Sequence, residues 1–154
     1  MTGRLIAIAR AAVKGAPMEL LDHAEISVDA GVEGDMRGKR PGRQVTVLFR
    51  EGWEDACREA GALVPLPWTT RRANLYVEGL ERPRTAGARL VVGEVVLAVA
   101  DETKPCALME RAFRGLRAAM KPDWRGGVSC DVIRSGVIRL AVPVSAEPRP
   151  RSEA

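Results

Sequence analysis

Residues 90–100 read LVVGEVVLAVA, and this stretch decides the fold. Leu90–Val92 and Val95–Ala100 are apolar, branched runs on either side of Gly93-Glu94. Two such runs joined by a two-residue glycine turn predict a tight hairpin, because glycine takes the positive φ these turns need. Working outward, strand-like alternation recurs at 3–10 (GRLIAIAR), 24–29 (AEISVD), 43–49 (RQVTVLF), 74–77, 128–134 and 137–144. Residues 30–42 (AGVEGDMRGKRPG) read as a long loop rich in glycine and charge. Helical spacing is confined to two places. In 51–62, Trp53, Ala56, Cys57 and Ala60 recur at i, i+3, i+4 and i+7. In 106–120, Met109, Ala112, Phe113, Leu116 and Met120 share one side and leave Arg111, Arg114 and Arg117 to solvent.

Seven or eight short strands with only two helices do not alternate as a doubly wound sheet requires. They predict a mostly β, barrel-like fold decorated by about two helices. At 154 residues the chain has the length of one domain. We expect that domain over residues 1–146, with 147–154 a polar, flexible C-terminal tail. With 46% apolar and 29% charged residues, the composition is that of a soluble globular chain. No run approaches the ~18–20 apolar residues of a membrane span, so no membrane partner is expected. The opening MTGRLIAIARAAVKG is broken by arginine and reads as a first strand, which makes the cytoplasm the expected compartment.

The charge balance is +4, and arginine supplies 20 of the 24 cations. Arginine recognises phosphate and carboxylate through a planar, bidentate fork. The cysteines are Cys57, Cys106 and Cys130; an odd number without C-x-x-C spacing argues against a disulfide scaffold. With His23 the sole histidine, no structural zinc site is expected. Haem and flavin are likewise not expected.

Three places could carry chemistry. Cys106 follows Lys104-Pro105 at the start of the second helix, where free backbone N–H groups and the neighbouring cation favour a thiolate. A buried, inert cysteine is the plain alternative there. Cys57 and Cys130 sit on apolar stripes and read as core. The second place is the loop from Gly34 to Arg43, in which Arg37, Lys39, Arg40 and Arg43 face a single acid, Asp35. Its glycines let backbone amides approach an anion; a solvated basic loop is the plain alternative. The third is Arg72-Ala73-Asn74-Leu75. On an extended segment, Arg72 and Asn74 would point to one side and could clamp a phosphate or a heterocycle edge.

The order of these features resembles the MOSC domain family, named for the C-terminal domain of molybdenum cofactor sulfurase. The resemblance rests on G-V-E-G-D (31–35) leading into R-Q-V-T-V-L (43–48), on R-x-N-L (72–75), and on G-A-R-L-V-V-G (87–93). It is completed by the P-C pair (105–106) and by R-G-G-V (125–128). It covers about residues 3–144 and looks like the stand-alone bacterial form. It implies a barrel-like fold and a molybdenum cofactor, with the molybdenum held by Cys106. It points to Arg72 and Asn74 at the pterin and its phosphate. Arg43, Lys104 and Asp35 complete the expected cofactor-binding set, Arg43 because the following strand holds it. Pyridoxal phosphate binding comes with the resemblance only as a family-level association.

What the resemblance implies for activity is an oxidoreductase that removes oxygen from small N-hydroxylated compounds. An electron-donor protein would be its partner, since no flavin or iron–sulfur motif is visible. Two alternatives stay open. One is a non-catalytic cofactor-binding or sulfur-carrier module, with a persulfide on Cys106 and a sulfur-delivering partner. The other is a basic nucleic-acid binder, disfavoured because six aromatic residues give few stacking platforms. Two departures bear on the choice. Family members often carry a histidine soon after the Gly-Asp, where this chain has Met36-Arg37-Gly38. Their final strand often ends in a Gly-Asp turn, where this chain has Arg139-Leu140-Ala141.

Overall fold

The computed structural model of the chain describes residues 2–153. Its frame is a closed β-barrel. The strands are β1 (Thr2–Arg10), β2 (Glu19–Leu21), β3 (His23–Ser27), β4 (Gly31–Val32), β5 (Val45–Phe49), β6 (Leu75–Glu78), β7 (Arg89–Val92), β8 (Val95–Glu102), β9 (Val128–Arg134), β10 (Gly136–Arg139) and β11 (Pro143–Glu147). The predicted hairpin is β7–β8, with Val92 opposite Val95. From it the sheet runs β11-β7-β8-β9-β5-β6-β1, and β1 pairs back onto β11 through Thr2–Arg4 against Pro143–Ser145. Seven strands therefore close with no free edge, which removes the exposed ladder an open sheet would present. β2 pairs with the far end of β1, and β10-β3-β4 form a small second sheet.

Alternation along the strands divides the apolar residues between two cores. On β5, Val45, Val47 and Phe49 enter the barrel, while Leu48 faces outward. On β6, Leu75 and Val77 go inward and Tyr76 outward. The outward residues meet helix α1 (Arg50–Glu59), which follows β5 directly and crosses to the parallel neighbour β6. Its stripe of Trp53, Ala56 and Cys57 is buried there. Trp53 Nε1 donates to the Leu66 carbonyl at 2.9 Å, and Trp68 stacks on Tyr76 with centroids 5.1 Å apart.

The sequence-based reading needs three corrections. The single helix expected over 106–120 is two short ones, α2 (Ala107–Ala112) and α3 (Leu116–Met120). Phe113 is extended and Gly115 has φ +89°, so the chain turns between them. The run 137–144 is likewise divided, at Ala141 with φ +74°, and its halves join different sheets. The third concerns Arg72, which is left-handed (φ +61°) at the end of a 3-10 turn, Trp68–Arg71. The segment is not extended there, so Arg72 and Asn74 do not share a side. At the C-terminus, β11 reaches Glu147, a 3-10 turn spans Arg151–Glu153, and the Arg149 side chain lies over Gly87. Ala154 lies outside the described residues.

Candidate functional site

A cleft of about 710 Å³ opens where the starts of β5, β6 and β9 meet the end of β8. Thr46 and Val47 belong to β5, Ala73 precedes β6, Thr103 follows β8, and Gly126 lies just before β9. The loop cations Arg37, Arg40 and Arg43 flank it. So do Arg71, Arg72, Lys14 and Lys104, and Cys106 with Leu108 and Met109 of α2. Five arginines and two lysines thus share one cleft, and no acidic residue lines it. Among the described residues, none of the seven is in an ion pair.

Arg71 is the best-anchored of the seven. Its Nε donates to the Gly126 carbonyl at 3.2 Å, and its Nη2 donates to Thr103 at 2.8 Å and Lys104 at 3.4 Å. Burial pulls this guanidinium down to about 10; the nearby Cys106 sulfur pushes the other way, and Arg43 and Arg37 add to the fall. It remains a cation at neutral pH. Burial also lowers Arg37, against Asp35 and with the like charges of Arg43, Arg72 and Arg40. Arg72 Nη2 donates to the Ala16 carbonyl at 2.5 Å, which holds the Lys14 loop against the cleft.

Gly126 permits this packing. A Cβ on it would lie 2.0 Å from the Thr103 carbonyl, so no larger residue fits without moving the end of β8. Gly127 has φ +88°, and a Cβ there would meet the Val47 carbonyl at 2.2 Å. The R-G-G-V segment is therefore a spacing device behind the cleft.

Cys106 is exposed, and it lines the cleft. It is the N-cap of α2, one residue before the helix, where the sequence suggested a first-turn position. That helix has six residues. Arg71 interacts electrostatically with the Cys106 sulfur, and Lys104 lines the same cleft two residues before it. Cys57 and Cys130 are both buried, and burial raises both thiols, Cys130 strongly.

Two of the expected residues lie elsewhere. Asn74 is buried and does not line the cleft. Its Oδ1 accepts from the Thr46 N–H at 3.0 Å and from Thr46 Oγ1 at 3.3 Å, and its Nδ2 donates to the Ala9 carbonyl at 3.2 Å. The Asn74 backbone bonds the same two residues: Asn74 N–H donates to the Thr46 carbonyl, and Ala9 N–H donates to the Asn74 carbonyl. The side-chain amide extends the ladder between β1 and β5 just before β6 begins. Asp35 is also turned into the protein, accepting from Ala11 N–H at 3.0 Å and Arg37 N–H at 3.2 Å. Arg43, Arg72, Lys104 and Cys106 are brought together. Sequence reasoning missed Arg71 and Lys14. The doubled arginine in T-T-R-R was the available signal for the first, and the Lys14-Gly15 loop for the second.

The closed barrel thus carries a cationic, thiol-lined cleft at one end. The MOSC domain model matches residues 35–145, and the chain belongs to the MOSC domain family. That family is associated with binding the molybdenum cofactor. No curated protein matches the chain in sequence. Among solved structures, the YuaD protein from Bacillus subtilis superposes with a TM-score of 0.79 at 18% identity, covering 97% of this chain and 98% of that one. YiiM from Escherichia coli gives 0.67 at 22%, covering 96% and 71%. YiiM from Geobacillus stearothermophilus gives 0.64 at 14%, covering 94% and 72%. These likenesses establish the fold.

The residues fit the family's cofactor on their own chemistry. Among the described residues, no three His, Cys, Asp or Glu side chains cluster as a protein-built metal site. A metal at this cleft would have to arrive with ligands of its own, and Cys106 is the thiol among the residues lining the cleft. A thiolate suits a thiophilic metal, and the arginines suit a phosphate. No helix among the described residues is long and apolar enough to cross a membrane.

Proposed function

We propose that the chain is a cytoplasmic molybdenum-cofactor protein that reduces small N-hydroxylated compounds, with Cys106 as its molybdenum ligand. The convergence of Cys106 with Arg43, Arg71, Arg72 and Lys104 on one cleft carries this reading. The cofactor, when bound, supplies the two-electron chemistry, R–NHOH + 2e⁻ + 2H⁺ → R–NH₂ + H₂O, with electrons from a donor protein. Arg43 and Arg72 bind the cofactor phosphate as charge-assisted donors. Lys104 lines the cleft beside Cys106 and adds a further cation for the cofactor's anionic groups. Arg71, tied to three carbonyls, keeps its charge beside the sulfur without having to reorganise. Met109, Leu108 and Met36 supply an apolar wall.

The test is the metal and pterin content of protein made in a cofactor-competent host, with turnover from an artificial electron donor. About one molybdenum per chain is expected, with activity lost in Cys106→Ser. Protein without molybdenum, or a fully active serine variant, would overturn the assignment. Loaded protein with no turnover would favour the sulfur-carrier alternative, which the exposure of Cys106 also suits.

A further inference from the structure

The charge of the cleft exceeds what a cofactor phosphate needs. A phosphate monoester carries about −1.5 to −2 at neutral pH. Against seven cations and no lining acid, the phosphate and the Cys106 thiolate of the cofactor reading leave about four positive charges uncompensated. Arg50, Arg82 and Arg84, outside the cleft, are by contrast paired with carboxylates. Like charges crowded in a concave, partly desolvated site repel one another, and the repulsion is relieved when an anion binds. The volume lies in the upper half of the about 300–1,000 Å³ span of small-molecule sites.

The unassigned cations have an accessible rim. Arg40 and Lys14 are exposed, and among the described residues their side chains make no hydrogen bond or ion pair. Arg72 fixes the Lys14 loop through the Ala16 carbonyl, and Arg40 N–H donates to the Arg37 carbonyl, so both rim segments are held by the cleft's own residues. Beside them lie Met36, 39% exposed, and Leu108, 49% exposed. An apolar surface beside unpaired cations suits a molecule with an apolar body and an anionic end. A nucleic-acid strand fits less well: the lining includes no aromatic side chain on which bases could stack.

We infer that the substrate of this cleft is an anionic N-hydroxylated compound, whose carboxylate or phosphate is bound by Arg40 and Lys14 while its apolar body rests on Met36 and Leu108. The inference rests on the cofactor reading and adds the substrate class to it.

The experiment uses molybdenum-loaded full-length protein, with metal content measured on every preparation. Calorimetry compares benzamide with 4-carboxybenzamide, neither of which has an N–O bond to reduce. Kinetics compares benzamidoxime with its 4-carboxy and 4-phosphono derivatives at low and high salt. The carboxylate is expected to bind about 10- to 100-fold tighter than the neutral amide. KM should follow the same order, and salt should shrink the difference. Arg40→Ala and, separately, Lys14→Ala should each cut the preference several-fold, with molybdenum per chain unchanged. Loaded protein that binds the two amides equally, or a preference that survives both substitutions, overturns the substrate class and leaves the cofactor reading intact. Protein that never loads molybdenum overturns the cofactor reading, and this inference with it.

Discussion

Replacing Asn74 with alanine separates a structural strap from a cofactor ligand. In the native fold its amide makes three side-chain bonds, to Thr46 N–H, Thr46 Oγ1 and the Ala9 carbonyl. Asn74 and Thr46 are nearly inaccessible and Ala9 is fully buried, so water cannot replace the lost partners without opening the barrel. Asn74→Ala strands two buried backbone groups, the Thr46 N–H and the Ala9 carbonyl. Each buried, unsatisfied group costs about 1–3 kcal/mol, giving about 2–6 kcal/mol in all. For a chain of this size, that lowers Tm by roughly 5–20 °C. Asn74→Asp keeps the acceptor for Thr46 but loses the donor to Ala9, and should also destabilise. Thermal unfolding by circular dichroism measures the shift, and molybdenum per folded chain, taken well below Tm, should stay near that of the parent. A Tm within 2 °C of the parent would refute the strap. Lost molybdenum at unchanged stability would return Asn74 to the cofactor.

Thiol accessibility gives a second expectation. A maleimide at pH 8 should label Cys106 alone in the native protein and all three cysteines after unfolding, because burial raises Cys57 and Cys130; fast native labelling of two thiols would contradict this. Gly126→Ala should cost about 1–3 kcal/mol by overpacking against the Thr103 carbonyl. The same change should loosen Arg71 and lower molybdenum retention, and a neutral alanine variant would show that β8 yields freely. Asp123 is held below the usual carboxylate range by Arg84, with Arg82 assisting. Its contribution is present above the unfolded value of about 3.9 and is lost as pH falls through the lower folded value. Asp123→Asn should therefore cost about 0.5–1 kcal/mol at pH 7. The difference from the parent should shrink as pH falls below about 3.9 and through the lower folded value; a deficit that does not shrink in acid would place the role of Asp123 in its backbone. Arg43→Ala should lower cofactor retention about 10- to 100-fold, read as molybdenum remaining after dialysis. Unchanged retention would remove Arg43 from the site.

The strands were legible because their signals are local. The β7–β8 hairpin follows from branched residues around Gly93-Glu94, and α1 from the spacing of Trp53, Ala56 and Cys57. Residues 106–120 read as one helix for the same local reason. Its apolar stripe continues across Gly115, and periodicity does not register that Phe113 turns extended to let α3 pack on α1. Pairing Arg72 with Asn74 failed for a related reason. Side-chain direction two residues apart holds only for extended backbone, and Arg72 is left-handed.

What the sequence determined by itself was the mostly β class, the arginine-rich balance, and three separate segments able to meet an anion or a metal. Each depends on residue type and short-range spacing. What the tertiary structure decided was which of those side chains share a space. Closure of β1 onto β11 and the packing of Gly126 against Thr103 bring Arg71, Lys14 and Cys106 to the cleft. Asn74 is turned instead toward Ala9, 65 residues away. Convergence of this kind depends on backbone dihedrals at single residues and on pairings between distant strands, and neither is encoded in the local spacing that a sequence displays.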